Sequence, residues 1–393
     1  MTAERLRVAI VAGSLRGAGA EKQAYLIVRG LQAAGVDVRV YCLNQGGVYE
    51  TAMRTLGVEP TFFGRFQLAP LRLFDLIAAL RRFRPHVIQS IHAYTNVYSG
   101  LAGRALGTLC IGGLRSNLTA FLADYPRALS MCLLRLPNSI VVNSMTAVQD
   151  IQSRRLLAAD RVHFLGNGID LSDLPDTDRS ASNCTCLYVG RLVQGKRVDV
   201  FLRAVALART SDDSIRAVIV GDGPESNRLK QLAAELELSP EHVVFAGFRT
   251  DVAEMYSAGS MFVLPSESEG TPNVVLEAMA AGLPIVATPA GDTRQIIEGA
   301  QAGFVVPFGD VSRMAEAITT LAASAELRRQ FASAGRRHVE QQYAAAHIAK
   351  GLLRIYEKAS QHRSQHGRSG RVHEATRILR QIVASTLTSG RVI

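Results

Sequence analysis

The sequence predicts an α/β protein with two doubly wound domains, each built on a parallel sheet. Short apolar runs alternate with helical stretches along the chain, and strands in this arrangement form parallel sheets through right-handed crossovers. A polar stretch with one proline, at 170–183, separates the earlier runs from the later ones. The 393 residues suffice for two domains that each bury a core. Two such domains facing each other would form a central cleft, with ligands at the carboxyl ends of the strands.

The strands predicted before the polar stretch are LRVAIVAG (6–13), VDVRVYCL (36–43), HVIQSIH (86–92), SIVVNS (139–144) and VHFLGN (162–167). Those predicted after it are TCLYVGR (185–191), RAVIVGDG (216–223), VVFAGF (243–248), MFVLPS (261–266) and PIVATPA (284–290). We therefore expect a first domain over 1–170, a linker over 171–183 and a second domain over 184–342.

The last part of the chain is expected to fall into two pieces. A helix over 343–360 is expected to pack back across the cleft, and residues 361–393 to form a basic flexible connector and an amphipathic helix. Apolar residues recur there at helical spacing, at Ala375, Ile378, Leu379, Ile382, Val383 and Leu387. Such a helix either docks on the fold or lies on a membrane surface.

Composition is typical of a globular protein, with 48% apolar and 20% charged residues. No apolar run approaches the roughly 20 residues of a membrane-spanning helix, and the first residues lack a signal-peptide core. We therefore expect a cytoplasmic protein. The cysteines form no CxxC pair, which indicates reduced thiols rather than a zinc site or a disulfide framework. They are Cys42, Cys110, Cys132, Cys184 and Cys186.

The net charge of +10 is unevenly distributed. Residues 1–170 carry 19 Lys and Arg against 10 Asp and Glu, residues 171–360 carry 19 against 23, and residues 361–393 carry 6 against 1. A basic first half indicates an anionic partner, such as a membrane surface or a phosphorylated substrate. Nucleic acid is disfavoured, because no aromatic-rich basic stripe or zinc-finger spacing occurs. The segment LRLFDLIAALRRFRP (71–85) predicts an amphipathic helix that either packs on its own sheet or rests on anionic lipid.

The segment ESEGTPNVVLEAMAAG (267–282) places two glutamates around a helix start at a strand end. Thr271 is expected as the N-cap and Pro272 as the first helical residue, with the helix running to Ala281. A helix N-terminus attracts an anion, and carboxylates such as Glu269 and Glu277 accept hydrogen bonds from hydroxyl groups. A nucleotide sugar, with a diphosphate between two hydroxylated rings, would use all of these features. Alternatively, Glu277 lines a helix surface and Glu269 stabilises a turn.

Two further loops of the second domain strengthen the ligand interpretation. YVGRLVQGKRVD (188–199) ends a strand with Arg191 and presents Lys196 just before a helix. Two cations at a strand end suit a diphosphate leaving group. VIVGDGPE (218–225) is a tight glycine-rich turn at the end of another strand. Each loop alone is weak evidence, but all three follow strands of one domain.

These motifs resemble the donor site of retaining glycosyltransferases of family 4, which have the GT-B fold of two Rossmann-like domains. The resemblance lies in GRLVQGK, VGDGPE and ESEGTPNVVLEAMAAG. In the first half, GSLRGAGAEKQ (13–23), Asn143-Ser144 and NGID (167–170) resemble the acceptor domain and hinge of the same family. The resemblance extends to about residue 360. It implies transfer of a sugar from a nucleoside diphosphate sugar to an acceptor hydroxyl.

The resemblance also implies a role for each matching residue. Arg191 and Lys196 would hold the diphosphate, Glu269 a hydroxyl of the transferred sugar, and His92 would lie near that sugar. Glu277 would hold the ribose hydroxyls. The remaining donor-binding positions would be Gly17, Gly19, Gly221, Thr271, Pro272 and Asn273. An alternative for His92 is a structural histidine at a strand end.

Other signals are weaker. The family's later loop usually reads Gly-Gly-x-x-Glu, but AGDTRQII (290–297) has Gly291 followed by Asp292, and Gln295 in place of the acid. Asp176-Thr-Asp178 has the Asp-x-Asp pattern of metal-dependent transferases, yet it lies in the expected linker, so no metal or other cofactor is expected. GAGAEK (17–22) lacks the third glycine of a dinucleotide fingerprint, which disfavours an NAD oxidoreductase.

The function expected from the sequence is retaining glycosyl transfer, in cell-surface polysaccharide or glycolipid biosynthesis. The expected partners are a nucleotide-sugar donor, a glycan or lipid-linked acceptor and the inner face of the cell membrane through peripheral contact. Two alternatives stay open: a sugar-nucleotide epimerase of the same fold, and a non-catalytic donor-binding subunit of a polysaccharide assembly.

Overall fold

The chain forms two compact units in the computed structural model, which describes residues 5–17, 19–171, 184–249, 251–366 and 370–388. The first unit combines Met1–Gly168 with Ala345–Ile393, and the second is Ile169–Ala344. Residues 172–183 of the expected linker lie outside the described residues.

The first unit is built on a parallel sheet. Over the described ranges its strands lie in the order β3-β2-β1-β4-β5-β6-β7. They are β1 (Arg7–Ala12), β2 (Asp37–Cys42), β3 (Thr61–Phe62), β4 (Val87–Ser90), β5 (Leu109–Leu114), β6 (Ser139–Val142) and β7 (Val162–Phe164). The helices between them are α1 (Gly19–Ala33), α2 (Val48–Thr55), α3 (Ala69–Phe83), α4 (Asn96–Leu106), α5 (Leu118–Asp124), α6 (Arg127–Arg135) and α7 (Met145–Ser153).

Strand β5 was missed by the sequence analysis because two adjacent glycines interrupt its apolar pattern. Both glycines face crowded neighbours, so a side chain would collide there. A Cβ on Gly113 would lie 2.6 Å from the carbonyl oxygens of Ser90 and Ile91. The Asn96 side chain accepts from the Gly113 N–H at 2.9 Å and donates to the Gly113 carbonyl at 3.1 Å. The glycines therefore allow a helix and a neighbouring strand to approach β5 closely.

The second unit repeats this architecture on a sheet ordered β10-β9-β8-β11-β12-β13 within the described part of the chain. Its strands are β8 (Thr185–Val189), β9 (Arg216–Val220), β10 (Val243–Gly247), β11 (Met261–Leu264), β12 (Ile285–Ala287) and β13 (Gly303–Val305). Its helices are α8 (Val198–Arg209), α9 (Ser226–Glu235), α10 (Val252–Ala258), α11 (Asn273–Ala280), α12 (Thr293–Ala300), α13 (Val311–Ala323) and α14 (Ala325–Gln342).

Both sheets have the strand order of Rossmann-like domains, so the predicted fold class of two parallel-sheet Rossmann-like domains is confirmed. In each sheet the order of connection reverses beside the first strand of the unit, between β1 and β4 and between β8 and β11. Loops that leave adjacent strands in opposite directions open a crevice at such a switch point. The candidate site residues cluster at these two places.

The C-terminal helices α15 (Ala345–His366) and α16 (Gly370–Thr388) belong to the first unit. Residues 361–366 were expected to belong to a flexible connector, but they are helical and continue α15. Arg363 helps to hold this part of the helix in place, because its Nη1 donates to the Thr108 carbonyl at 2.6 Å and to Asn138 Oδ1 at 3.0 Å. A polar segment thus stays helical because its cation finds fixed acceptors on the first unit.

The apolar face of α16 is buried in the core of the first unit rather than left open to solvent. Ala375, Ile378 and Leu379 are at most 2% exposed and pack with residues of α1 and α15. The structure therefore shows this helix docked on the fold, which is one of the two arrangements expected from the sequence. No helix among the described residues is long and apolar enough to cross a membrane. All five cysteines are free, and Cys132 alone is exposed.

Replacing Leu379 with Ala is expected to destabilise the protein, since Leu379 is fully buried between α16 and the rest of the first unit. Loss of a buried leucine side chain typically costs about 2–5 kcal/mol of unfolding free energy. Urea denaturation measures this change. The exposed neighbour Arg380→Ala serves as control and should change the midpoint little. Equal midpoints for the two variants would contradict docking of α16.

Candidate active site

Glu277 is a buried carboxylate near the middle of α11, with 8% of the residue exposed. The Tyr256 hydroxyl donates to Glu277 Oε2 at 3.0 Å. Burial raises the pKa of Tyr256 well above its ordinary value, and the negative charge of Glu277 adds to the effect. Tyr256 therefore stays protonated and holds the carboxylate in one orientation. The sequence contained no signal for this partner, which comes from α10.

The start of α11 differs from the expectation by one residue. The helix begins at Asn273, with Pro272 as its N-cap, and Thr271 precedes the cap. Thr271 does not cap the helix; its hydroxyl donates to Asp292 Oδ2 at 2.8 Å instead. The backbone of Pro272 is extended, with φ −74° and ψ 107°, which places it outside the helix despite its suitable φ. The helix ends at Ala280, one residue before the expected end, with Ala281 as its C-cap, and Gly282, with φ +71°, follows.

The loop at 290–292, where this chain departs from the family pattern, supports the loop that carries Glu269. The Asp292 backbone N–H donates to the Gly270 carbonyl at 3.0 Å, in addition to the bond that Asp292 accepts from Thr271. A Cβ on Gly291 would lie 2.1 Å from the same Gly270 oxygen, and Gly291 has φ +57°. Only glycine fits this position. Asp292 is thus a supporting residue that the sequence analysis did not assign.

Lys196 and Glu269 lie in contact. Lys196 Nζ is 2.5 Å from Glu269 Oε1, and the side chains are 24% and 11% exposed. Their loops also join through the backbone, because the Glu267 N–H donates to the Gly195 carbonyl at 3.0 Å. The structure therefore brings together two predicted site residues that are 73 positions apart.

Arg191 follows β8 after Gly190, and its side chain is exposed. The Tyr188 hydroxyl donates to its backbone carbonyl at 3.2 Å, which holds the loop against the strand. Within the described ranges the Arg191 guanidinium has no hydrogen bond or ion pair with another residue. Arg191 is therefore a cation with no counter-ion among the described residues, in the same loop as a second cation, Lys196.

Arg197 was not singled out from the sequence, although it connects both loops. Its guanidinium pairs with Asp199 and with Glu267, and its backbone is left-handed, with φ +48°. Hydrogen bonds to Asp199 and Glu267 raise the pKa of Arg197. A cavity of about 690 Å³ lies beside these ion pairs. Its lining residues are Gln194, Gly195, Arg197, Asp199, Glu225, Arg228 and Glu267.

Gly221 has a structural reason to be glycine. It has φ +133°, and a Cβ there would lie 1.9 Å from the Gly190 carbonyl oxygen. The loops after β8 and β9 therefore touch through their backbones. Gly17 and Gly19 are exposed at the start of α1 in the other unit, and Ala18 between them lies outside the described residues.

His92 belongs to the first unit, where the sequence placed it at the end of a strand. Its Nδ1 accepts from the Gly13 N–H at 3.0 Å, so the ring proton of neutral His92 is on Nε2, 3.5 Å from Glu21 Oε1. The Ser14 hydroxyl donates to the same oxygen at 2.6 Å. Burial raises the pKa of Glu21, but the hydrogen bonds from His92 and Ser14 outweigh it and lower the pKa to about 2. A buried, ionised Glu21 therefore orients His92.

Among the described residues, no group of three His, Cys, Asp or Glu side chains is placed to hold a metal ion. Asp176 and Asp178 of the Asp-x-Asp pattern lie outside the described residues.

Two Rossmann-like units, one with cations and carboxylates at its switch point, define the class of protein, and comparison with known proteins identifies its family. The "Glycosyl transferases group 1" model matches residues 177–338 and the "Glycosyltransferase Family 4" model matches residues 17–173. The chain belongs to the family 4-type glycosyltransferases with the GT-B fold. The resemblance inferred from its motifs is thereby confirmed.

Named relatives agree with this assignment. N-acetyl-alpha-D-glucosaminyl L-malate synthase of Bacillus anthracis is 29% identical over 53% of this chain, and the match spans 54% of that relative's length. GDP-mannose-dependent alpha-mannosyltransferase of Mycobacterium tuberculosis is 28% identical over 73% of this chain and 77% of its own length. The structure of Anabaena HepE in complex with UDP-glucose superposes with a TM-score of 0.78 at 19% identity, covering 91% of this chain and 100% of that one.

The contact between Glu21 and His92 predicts that Glu21→Gln changes the free energy of unfolding in a pH-dependent way. Because folding lowers the pKa of Glu21 from 4.5 to about 2, its ionised form stabilises the fold above pH 4.5, and this contribution is lost as the pH falls towards 2. Near pH 7 the variant should lose about 3 kcal/mol of unfolding free energy. Denaturation at several pH values measures the loss, with exposed Glu59→Gln as control. A loss that is the same at pH 3 and pH 7 would contradict the ionised pair.

Proposed function

We propose that this protein is a retaining glycosyltransferase that moves a sugar from a nucleoside diphosphate sugar to an acceptor hydroxyl. The observation that carries the proposal is the contact between Lys196 and Glu269 at the switch point of the second unit, beside the exposed Arg191. One residue binds anions and the other binds hydroxyls, so their contact suits the junction between a diphosphate and a sugar. The names of two similar proteins, one GDP-mannose-dependent and one bound to UDP-glucose, support this donor class.

In the proposed complex, Arg191 and Lys196 bind the diphosphate. An ammonium group has three N–H donors, so Lys196 can keep its bond to Glu269 and still donate to phosphate oxygens. The positive end of the α11 dipole, at Asn273, adds to the attraction for the diphosphate. Ordered positive charge around the diphosphate is most valuable when the bond to the sugar breaks, because negative charge then develops on the departing phosphate.

The carboxylates are proposed to hold the two sugar rings. Glu269 accepts a hydrogen bond from a hydroxyl of the transferred sugar, and its contact with Lys196 keeps it beside the diphosphate. Glu277 accepts from the ribose hydroxyls, since a carboxylate has about four acceptor positions and the Tyr256 hydroxyl uses one of them. His92, oriented by Glu21, is the proposed contact of the first unit with the transferred sugar.

The proposed reaction exchanges one bond for another on the same face of the sugar. The bond from the anomeric carbon to the diphosphate oxygen breaks, and a bond from that carbon to the acceptor oxygen forms. The leaving diphosphate accepts the proton of the acceptor hydroxyl. Charge balance at the phosphate comes from Arg191 and Lys196, so the residues named here perform the reaction without a metal ion. The acceptor is proposed to be a glycan or a lipid-linked glycan in cell-surface polysaccharide or glycolipid biosynthesis.

Product analysis tests the proposed reaction. Purified protein is incubated with UDP- and GDP-sugars, alone and with glycan or lipid-linked acceptors, in the presence and absence of EDTA. We expect a glycosylated acceptor with retained anomeric configuration and undiminished yield in EDTA. A new nucleotide sugar formed from donor alone would support the epimerase instead. Donor binding without any product would support a non-catalytic subunit, and loss in EDTA restored by Mg²⁺ would contradict charge balance by the two cations.

The two glutamates should fail differently when changed to glutamine. Glu277→Gln should lower the affinity of the protein for both the free nucleoside diphosphate and the intact donor by roughly tenfold to a hundredfold. The reason is that a hydrogen bond to a charged group contributes ~1.5–3 kcal/mol. Glu269→Gln should leave affinity for the diphosphate nearly unchanged while turnover falls. Calorimetry with the diphosphate and the intact donor, together with initial rates, separates these effects.

Two control variants sharpen this comparison. Glu267→Gln removes a neighbouring carboxylate that pairs with Arg197 instead of Lys196, so it should affect turnover less than Glu269→Gln. Tyr256→Phe removes the hydrogen bond to Glu277 and leaves the carboxylate present. It should therefore lower the affinity for the diphosphate by less than Glu277→Gln does. If Glu277→Gln binds the diphosphate like the wild type, the ribose assignment is wrong.

A further inference from the structure

An apolar tip projects from the first unit where a loop runs into α3. It consists of Phe66, Leu68, Leu71 and Phe74, which are 39%, 66%, 44% and 71% exposed. The loop is tied to the helix, because Arg72 donates from its backbone N–H to the Leu68 carbonyl at 3.2 Å and from Nε to the Phe66 carbonyl at 2.5 Å. The four residues therefore lie on the loop and on the first two turns of the helix.

The fold of the first unit does not need these side chains. Helix α3 packs on the sheet through a separate face, formed by Leu76, Leu80 and Phe83, which are at most 5% exposed. Single exposed apolar side chains are common on protein surfaces, whereas a contiguous group that includes a phenylalanine 71% exposed marks an interaction site.

The exposed face of α3 changes character along its length. Phe74 and Leu71 begin it, and Arg81 and Arg82 end it, both exposed and without an ion pair to any residue in the described ranges. Phe74 and Arg82 are eight residues apart, or about 12 Å along the axis. The carboxylate between them, Asp75, is already paired with Arg65. The face thus combines a large apolar end with an unbalanced positive end.

We propose that this surface, the apolar tip together with Arg81 and Arg82, docks the protein on an anionic lipid bilayer. A helix lying in the membrane interface buries apolar side chains at the boundary of headgroups and acyl chains and keeps its cations at the phosphates. The surface offers both groups on one helix face. The positive charge of the first 170 residues favours the same orientation at longer range. This inference does not depend on the proposed reaction, because it concerns binding to lipid alone.

Co-sedimentation of the full chain with vesicles tests the docking surface. Vesicles of phosphatidylglycerol mixed with phosphatidylcholine are compared with vesicles of phosphatidylcholine alone, at low and high salt. We expect binding to the anionic vesicles that weakens at high salt. Leu68→Ser with Phe74→Ser, and separately Arg81→Gln with Arg82→Gln, should each weaken it roughly tenfold or more. Unchanged thermal melting shows that these variants remain folded.

Matched controls come from the second unit. Phe308→Ser removes an apolar side chain that is 51% exposed, and Arg203→Gln with Arg337→Gln removes two exposed cations. Both controls should bind the anionic vesicles like the wild type. The proposal is overturned if the wild type binds neither vesicle at low salt, if it binds both equally, or if the tip variant binds like the wild type. A dimer in solution that Phe74→Ser dissociates would also overturn it, since the tip would then contact a second copy.

Discussion

The parallel pairing of β8 with β11 brings the candidate site of the second unit together. Cys186 pairs with Met261 and Leu187 with Phe262, so both strands run towards the same edge of the sheet. The loop after β8 carries Lys196 and the loop after β11 carries Glu269. Both strands are buried along almost their whole length, and a shift in their pairing would displace one loop relative to the other. The contact between the two charged residues follows from that register.

Close backbone approaches then set the shapes of these loops. Gly221 allows the loop after β9 to touch the Gly190 carbonyl, and Gly291 allows the loop after β12 to touch the Gly270 carbonyl. Asp292 completes the second approach through its bonds with Gly270 and Thr271. The loop that departs from the family pattern therefore holds the loop that carries Glu269 through Gly270 and Thr271, which is a positioning role.

The first unit organises its switch point with a buried ion rather than with an exposed ion pair. Glu21 is ionised in a site that is 5% exposed because Ser14 and His92 supply hydrogen bonds that outweigh desolvation. Helix α15 and helix α16 complete the core behind this sheet. The C-terminal helices thus stabilise the first unit, whereas α3 of the same unit leaves apolar and cationic side chains exposed.

The sequence by itself determined the alternation of strands and helices, the two-domain organisation and the candidate residues at strand ends. These features depend on local patterns of apolar, glycine and charged residues, which can be read without knowing distant neighbours. Only the tertiary structure decided the partners: Tyr256 for Glu277, Asp292 for Thr271 and Glu21 for His92. Each of these contacts joins different secondary-structure elements, and residues brought together by sheet topology leave no fixed spacing in the chain. The docking of α16 was decided in the same way, because an amphipathic pattern specifies an apolar face but not the surface that covers it.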